Sequence, residues 1–247
     1  MSSPAVRVRS QAAFETRTLL GNGEQLLVSL ILPAMALIGL AVSSTPDLGP
    51  GRRIDIVVPS VLALAVVSTA FTGQAIATGF DRRYGVLRLL GVTPLGRSGL
   101  LAGKALAVLV VVVLQTILLS VLGALFGWQP NLGGILVGAL LMLLGTWTWV
   151  AIALLLAGVL RAEAVLAVAN LLWVIFAAAG GLLYPTAKLP GMVGDVVRLL
   201  PSGALGDGLR DALTGHEGSL LLPILVLLLW GLAATALTAT FFRWDDK

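Results

Sequence analysis

"ALAVLVVVVLQTILLSVLGALFGWQPNLGGILVGALLMLLGTWTWVAIALLLAGVL", residues 105 to 160, runs 56 positions without an Asp, Glu, Lys or Arg. A bilayer core of about 30 Å takes roughly 20 helical residues. The run is long enough for two membrane spans joined at "GWQPNLGG" (127 to 134). Further uncharged stretches at 25 to 46, 56 to 80, 164 to 187 and 218 to 242 bring the expected spans to six. The chain is 58% hydrophobic and 11% charged, whereas soluble domains average about a quarter charged residues. The apolar runs are continuous and do not alternate in segments of about ten, which argues against an outer-membrane barrel. The expected fold is an all-α integral membrane protein in which residues 1 to 247 form one transmembrane domain.

The absence of cysteine removes disulfides, thiolate nucleophiles and cysteine metal sites together. "AVS" at 41 to 43 has the small residues of a signal cleavage site, but the apolar run from Leu26 to Val42 is long for a signal core and follows Glu15 and Glu24. It is expected to remain as a span. With both termini in the cytoplasm, inner segments hold eleven Lys and Arg and outer segments five, namely Arg52, Arg53, Lys188, Arg198 and Arg210. The positive-inside rule favours that orientation, against the local vote of Arg52 and Arg53. Acidic residues divide six and six, leaving +5 inside and −1 outside. A basic inner face suits anionic membrane lipids, and no nucleic acid is needed to explain it.

Residues 1 to 23 mix Val6, Val8, Phe14, Leu19 and Leu20 with Arg7, Arg9 and Arg17. They read as an amphipathic helix at the inner membrane surface, ended near "GNG" at 21 to 23. The imperfect apolar spacing leaves a disordered tail as the other reading.

Between the second and third expected spans lies "FDRRYGVLRLLGVTPLGRS", residues 80 to 98. Asp81 is placed to cap a helix, Gly91 to stop it and Thr93-Pro94 to prevent its continuation, which predicts about nine helical residues. Tyr84, Val86, Leu87, Leu89 and Leu90 cover one broad arc, interrupted by Arg82 and Arg83, with Asp81, Gly85 and Arg88 opposite. So short a helix is marginal in water, so its apolar residues need lipid or a protein surface. The segment is either a docking element or a set of topology signals in which Arg82, Arg83, Arg88 and Arg97 snorkel to lipid phosphates.

The run "DRRYGVLRLLGVTPLGRSGLLAGK", residues 81 to 104, closely resembles the cytoplasmic loop of permease subunits in the type 2 ABC exporter family, which includes drug, lipid and polysaccharide exporters. Arg82, Gly85, Leu87, Thr93 and Pro94 fit the family pattern, while Asp81 replaces its usual Glu and Val86 its usual Thr. The resemblance implies a coupling helix that sits in a groove of a separate cytoplasmic ABC ATPase subunit, with Asp81, Arg82, Arg83, Tyr84, Gly85, Leu87, Arg88 and Leu90 as its coupling residues. A second stretch, "LPGMVGDVVRLLPSGALGDGLRDALTG" at 189 to 215, resembles the family's segment before the last span, marked here by Pro190, Pro201, Arg210 and Gly215. It implies two short helices on the outer mouth, within an extracytoplasmic segment at 184 to 217, and each Pro suits a first helical turn. The resemblance also implies two permeases, identical copies or paralogues, facing two ATPases in a bacterial-type cytoplasmic membrane.

The energy source is expected in that partner. A phosphate loop needs Gly five residues before a Gly-Lys pair and Ser or Thr after it, and around Gly103-Lys104 those places hold Ser98 and Ala105. ATP and Mg are therefore assigned to the partner ATPase, and no cofactor or metal to this chain.

Polar residues inside the expected spans are Thr69, Thr72 and Gln74 in the second, Gln115 in the third, Thr146 and Thr148 in the fourth and Asn170 in the fifth. Interhelical hydrogen bonding accounts for any one of them. In the resembled family the translocation route lies near spans one, two and five, which makes Thr69, Thr72 and Asn170 its candidate lining, with Phe71 and Phe176 as apolar wall. No charge sits deep in an expected span, which disfavours an ion-driven carrier with an intramembrane carboxylate. A hydrophobic or amphipathic cargo, drug or lipid-like, is expected. Trp128 and Trp244 fall at span ends as interface anchors, and Trp147 and Trp149 read as lipid-facing packing ahead of an aromatic cargo site. The pairs Gly99/Gly103, Gly123/Gly127 and Gly134/Gly138 read as close helix packing.

Two other classes, a membrane-embedded enzyme and a non-transporting anchor, compete with a transporter. An intramembrane protease needs a Ser/His pair or an HExxH ligand set, but the single His216 lies beside Glu217 with no Ser on the same span. A lipid-modifying enzyme would use acidic residues at a membrane face. Asp195, Asp207, Asp211 and Glu217 instead interleave with Arg198 and Arg210 as solvated helix faces do. A non-transporting anchor or sensor for an ATPase would share the coupling loop and need no cargo route.

Overall fold

The computed structural model describes residues 3–21, 23, 27–91, 93–215 and 218–244. Helix α1 (Pro4–Gly21) precedes α2 (Leu32–Val42), which is entered through a π-helical turn at Leu27–Ile31. Helix α3 (Arg53–Arg83) runs 31 residues, with a π-helical segment, Val67–Gly73, at its middle. The short α4 (Val86–Gly91) leads into α5 (Gly96–Leu125), α6 (Ile135–Val159) and α7 (Ala162–Ala178). Then follow α8 (Met192–Arg198), α9 (Pro201–Thr214) and α10 (Leu221–Phe241). No strand occurs among the described residues.

Among the described residues four helices, α3, α5, α6 with the turn before it, and α10, are long and apolar enough to cross a membrane. The segments Ser29–Val42 and α7 are apolar but shorter. At ~1.5 Å per residue the 17 residues of α7 cover about 25 Å.

Helix α3 is the axis of the bundle because its sequence is apolar all round, the pattern of a buried helix. Val57, Val58, Val61, Ala63, Val66, Val67, Ala70 and Phe71 are all fully buried. It is packed by α2, α5, α6, α7 and α9.

Of the two short helices that the sequence placed on the mouth, α9 is folded into the bundle, whereas α8 packs on α9 with Met192, Val193 and Val196 left exposed. A Cβ on Gly134, at the start of α6, would lie 1.7 Å from the Ala212 carbonyl oxygen of α9, so only glycine permits this approach. Eleven residues farther along, about 16 Å of helix, Gly145 faces Leu205 of α9. The Trp230 indole of α10 donates to the Leu199 carbonyl at 3.0 Å. Small residues explain the difference: Gly203, Ala204, Gly206, Gly208 and Ala212 make α9 slim enough to enter between α3, α6 and α10. The other paired glycines also serve packing, since Gly103 faces Gln11 and Ala12 of α1 and Gly123 faces Val58 of α3. Gly127 instead forms a turn with positive φ.

Candidate functional site

At one end of α3 the helix passes through Asp81 and stops at Arg83. This corrects the expected cap at Asp81. Helical hydrogen bonding continues there, and the break falls at Gly85, whose φ of +73° a residue with a Cβ adopts only at a cost. The helix after the break is accordingly six residues long, shorter than the nine the sequence suggests.

The break sorts the loop residues into two sets. Leu87 is fully buried and Arg82 is 3% exposed, with Arg82 donating to the Leu160 carbonyl at the end of α6. That carbonyl is one of the acceptors a helix C-terminus leaves unmet. Asp81 accepts from Lys104 Nζ of α5 at 2.7 Å, and Lys104 also pairs with Glu15 of α1 at 3.0 Å. Three helices are thereby tied at a nearly buried ammonium group. Tyr84 and Leu89 are 71% and 70% exposed, and Val86, Arg83 and Arg88 are exposed beside them. Leu90 is half-buried. Arg83 pairs with Glu163 of α7, and the Tyr84 ring stacks on Phe80 with centroids 6.1 Å apart.

Helix α1 settles the reading of the N-terminal segment as helix over Pro4–Gly21. It lies against α5, Arg7 donates to the Pro94 carbonyl, and Val6 and Phe14 point outward. Asn22 and Glu24, invoked for its stop and for the first span, lie outside the described residues, as do His216 and Glu217.

The residues expected along a translocation route do not form one surface. Thr69 is buried and donates to Gln115 Oε1 at 3.0 Å, while Gln115 Nε2 donates to the Ser29 carbonyl at 2.8 Å. This chain ties α3 to α5 and to the entry of α2. Phe71 is fully buried against Trp149 and Phe176, whose ring centroids lie 5.3 and 6.3 Å away. Trp149 therefore faces the interior, which corrects its reading as lipid-facing; its neighbour Trp147 packs over Gly231 of α10. Thr72 is buried and its hydroxyl has no partner among the described residues. Asn170 lies exposed on α7. The π-helical segment of α3 carries Thr69, Phe71 and Thr72 together, and such segments recur at functional sites.

At the other end, Arg210 of α9 is 6% exposed. It donates to Ser60 Oγ and the Leu182 carbonyl, each at 2.9 Å, to the Gly181 carbonyl at 2.7 Å and to Asp207 at 2.5 Å. Asp207 also accepts from Thr186. Asp207 and Arg210 are thus an interior pair, where the sequence suggested a solvated face. Beside them a cavity of about 470 Å³ opens between the 48–50 loop, α8, α9 and the start of α10.

Sequence reasoning missed Leu89 as an outward residue and Lys104 as a tie. Restarting the helical register after Gly85 would have separated Val86 and Leu89 from Leu87 and Leu90. Nothing local to Lys104 points to Glu15, its partner across 89 positions.

Long apolar helices packed around a buried central one define a multi-pass helical membrane protein. The sequence matches the family model described as ABC-2 family transporter protein over residues 54–240. This covers most of the chain, and the chain belongs to that family: it is a type 2 ABC permease, a transport subunit of a kind that normally works with an ATPase. A comparison with curated proteins finds no match.

Proposed function

We propose that this permease is the membrane half of an ATP-driven exporter that moves a hydrophobic or amphipathic, drug-like or lipid-like cargo across a bacterial cytoplasmic membrane. Six helices cross the bilayer, α2 and α7 included, with both termini and α4 on the cytoplasmic side and α1 along that surface. The observation that carries the reading is the exposed patch of Arg83, Tyr84, Val86, Arg88 and Leu89. It sits on a stub whose other face is fixed to the bundle by Leu87, Arg82 and the Asp81–Lys104–Glu15 tie. A separate ABC ATPase, which supplies ATP and Mg, docks on this patch. Its closure is transmitted through α3 to the π-helical segment and its aromatic cluster. The outward apolar faces of α2 and α7 meet a second permease copy or paralogue.

Co-expression with candidate ABC ATPases tests the reading. Replacing Tyr84 and Leu89 together by Ala removes two exposed anchors, so co-purification and stimulated hydrolysis fall at least about tenfold while thermal stability holds. Undiminished association of the double variant would dispose of the coupling role. Hydrolysis indifferent to every lipophilic compound and lipid tried would dispose of the cargo assignment.

A further inference from the structure

Seven residues in the middle of α3, Val67–Gly73, are wound as π-helix, and so are Leu27–Ile31 at the entry to α2. The two segments touch. Gln115 of α5 bridges them, accepting from Thr69 Oγ1 at 3.0 Å and donating to the Ser29 carbonyl at 2.8 Å. At 3% exposure, Gln115 makes this bridge away from water. Since π winding is rare and usually lasts a single turn, a seven-residue stretch of it needs something to hold it, and the bridge supplies that hold.

Winding also decides what a helical hydroxyl can reach. Ser60, Ser68, Thr116, Thr146 and Thr148 each donate to the carbonyl four residues back, at 2.7–2.9 Å. Thr72 does not. Its corresponding acceptor is the Ser68 carbonyl, and here the backbone register runs five residues back, as in the bond from the Gln74 N–H to the Thr69 carbonyl. Thr72 is 6% exposed, and its hydroxyl has no partner among the described residues. Trp149, whose ring lies 5.3 Å from that of Phe71 in the same segment, also keeps an indole N–H without an acceptor. Both atoms are closed to any ligand, so the missing partners have to come from within the chain.

We propose that α3 is a two-state helix. Val67–Gly73 is π-helical in this structure and α-helical in a second state, where Thr72 Oγ1 donates to the Ser68 carbonyl. Gln115 is the clamp of the π state. Taking one surplus residue out of the wide turn moves the halves of α3 against each other by about one helical position, roughly 1.5 Å of rise and 100° of turn. The outer half is fixed where Arg210 donates to Ser60. The other half, Gln74–Arg83, is held through the long, adaptable side chains of Arg82 and Lys104, so it is the half that moves, carrying the turn at Gly85 and α4 with it. This device goes beyond the transport reading and does not need it.

The test uses the full-length chain in nanodiscs without an ATPase, so its failure is separate from a failure of docking. Because the chain has no cysteine, spin labels attach only at Tyr84→Cys and Leu136→Cys, exposed positions at the end of α3 and the start of α6. Labelled chain is diluted with unlabelled chain, and the distance between the labels is read by pulsed electron paramagnetic resonance. Gln115→Leu removes the clamp and frees Thr69 to donate to the Ala65 carbonyl, so a second distance, displaced by about 1.5 Å or more, should gain population. Gly73→Ala, which favours α winding, should act in the same direction and stands in if Gln115→Leu does not fold. Adding Thr72→Val to either should reduce the second population about fivefold, whereas adding Thr72→Ser should preserve it. Thr72→Val alone should leave the melting temperature undiminished, because no bond of the π state is lost. One distance common to wild type, Gln115→Leu and Gly73→Ala overturns the proposal, and so does a second population indifferent to Thr72→Val.

Discussion

Arg82 and Arg210 are both buried, and both donate to backbone carbonyls that follow a helix end: Leu160 after α6, Gly181 and Leu182 after α7. On α3 the residue that accepts from Arg210, Ser60, and Arg82 itself are 22 positions apart, about 33 Å. The surroundings differ. Around Arg210 the neighbouring polar groups are turned inward, with Asp207 accepting from both Arg210 and Thr186. Next to Arg82 the chain turns outward at once, leaving Arg83, Tyr84 and Leu89 exposed. One arginine closes an interior; the other secures the root of an exposed apolar and basic patch. The same guanidinium chemistry thus serves a rigid, closed end and an exposed end of one helix.

Arg210→Met tests the rigid end and carries the largest expected effect. It strands Asp207 and three acceptors in the interior, and removing one member of a buried pair costs about 3–5 kcal/mol. Thermal unfolding in detergent should show a loss of that order or failure to accumulate. Arg82→Met leaves the Leu160 carbonyl unmet, for which a loss of about 1–3 kcal/mol is expected. It should also impair ATPase association, which Arg210→Met in any folded fraction should not. Equal losses of stability, or an association defect in both, would erase the distinction between the ends.

Much of this contrast could be read in advance, and for definite reasons. Uninterrupted apolar runs mark α3, α5, α6 and α10, because a bilayer core demands length and lack of charge from a single segment. The basic stretch at 81 to 104 announced an exposed element, because exposure and charge are local properties. Burial of α9 was hidden, since Asp207, Asp211 and Arg210 among glycines look like a wetted surface until the carbonyls of Gly181 and Leu182 are brought alongside. Thr69 could be read as path or as tie, and only the position of Gln115, 46 residues away, decides its hydrogen bond. Asn170 and Phe176 lie six positions apart on α7, yet one is exposed and the other half-buried against the aromatic cluster.

The turn between α3 and α4 gives a smaller test. Gly85 has nothing within 4 Å of where a Cβ would stand, so Gly85→Ala meets no clash and feels only the cost of a left-handed backbone, about 1–2 kcal/mol. If the turn also aims the docking surface, ATPase association falls along with stability. A stability loss with full association would show that α4 is held by Leu87 alone.

The smallest effect belongs to the Asp47–Lys188 pair, 2.7 Å apart in an exposed setting near the cavity beside Arg210. Lys188 holds the Asp47 carboxyl below its ordinary value of 3.8, and Asp47 in turn raises Lys188 above 10.5. A lowered carboxyl stabilises the fold above its unfolded value and loses that contribution as pH falls through the folded one. A raised ammonium contributes below its unfolded value and loses it as pH rises through the folded one. The pair is therefore complete across neutral pH. Asp47→Asn should lower the melting temperature slightly and evenly there, with the gap from wild type closing only as pH drops below 3.8. Solvent screens the pair, so a gap that changes near neutrality would point to another titrating group, and one as large as that of Arg210→Met would mean that the rigid end is held from its surface.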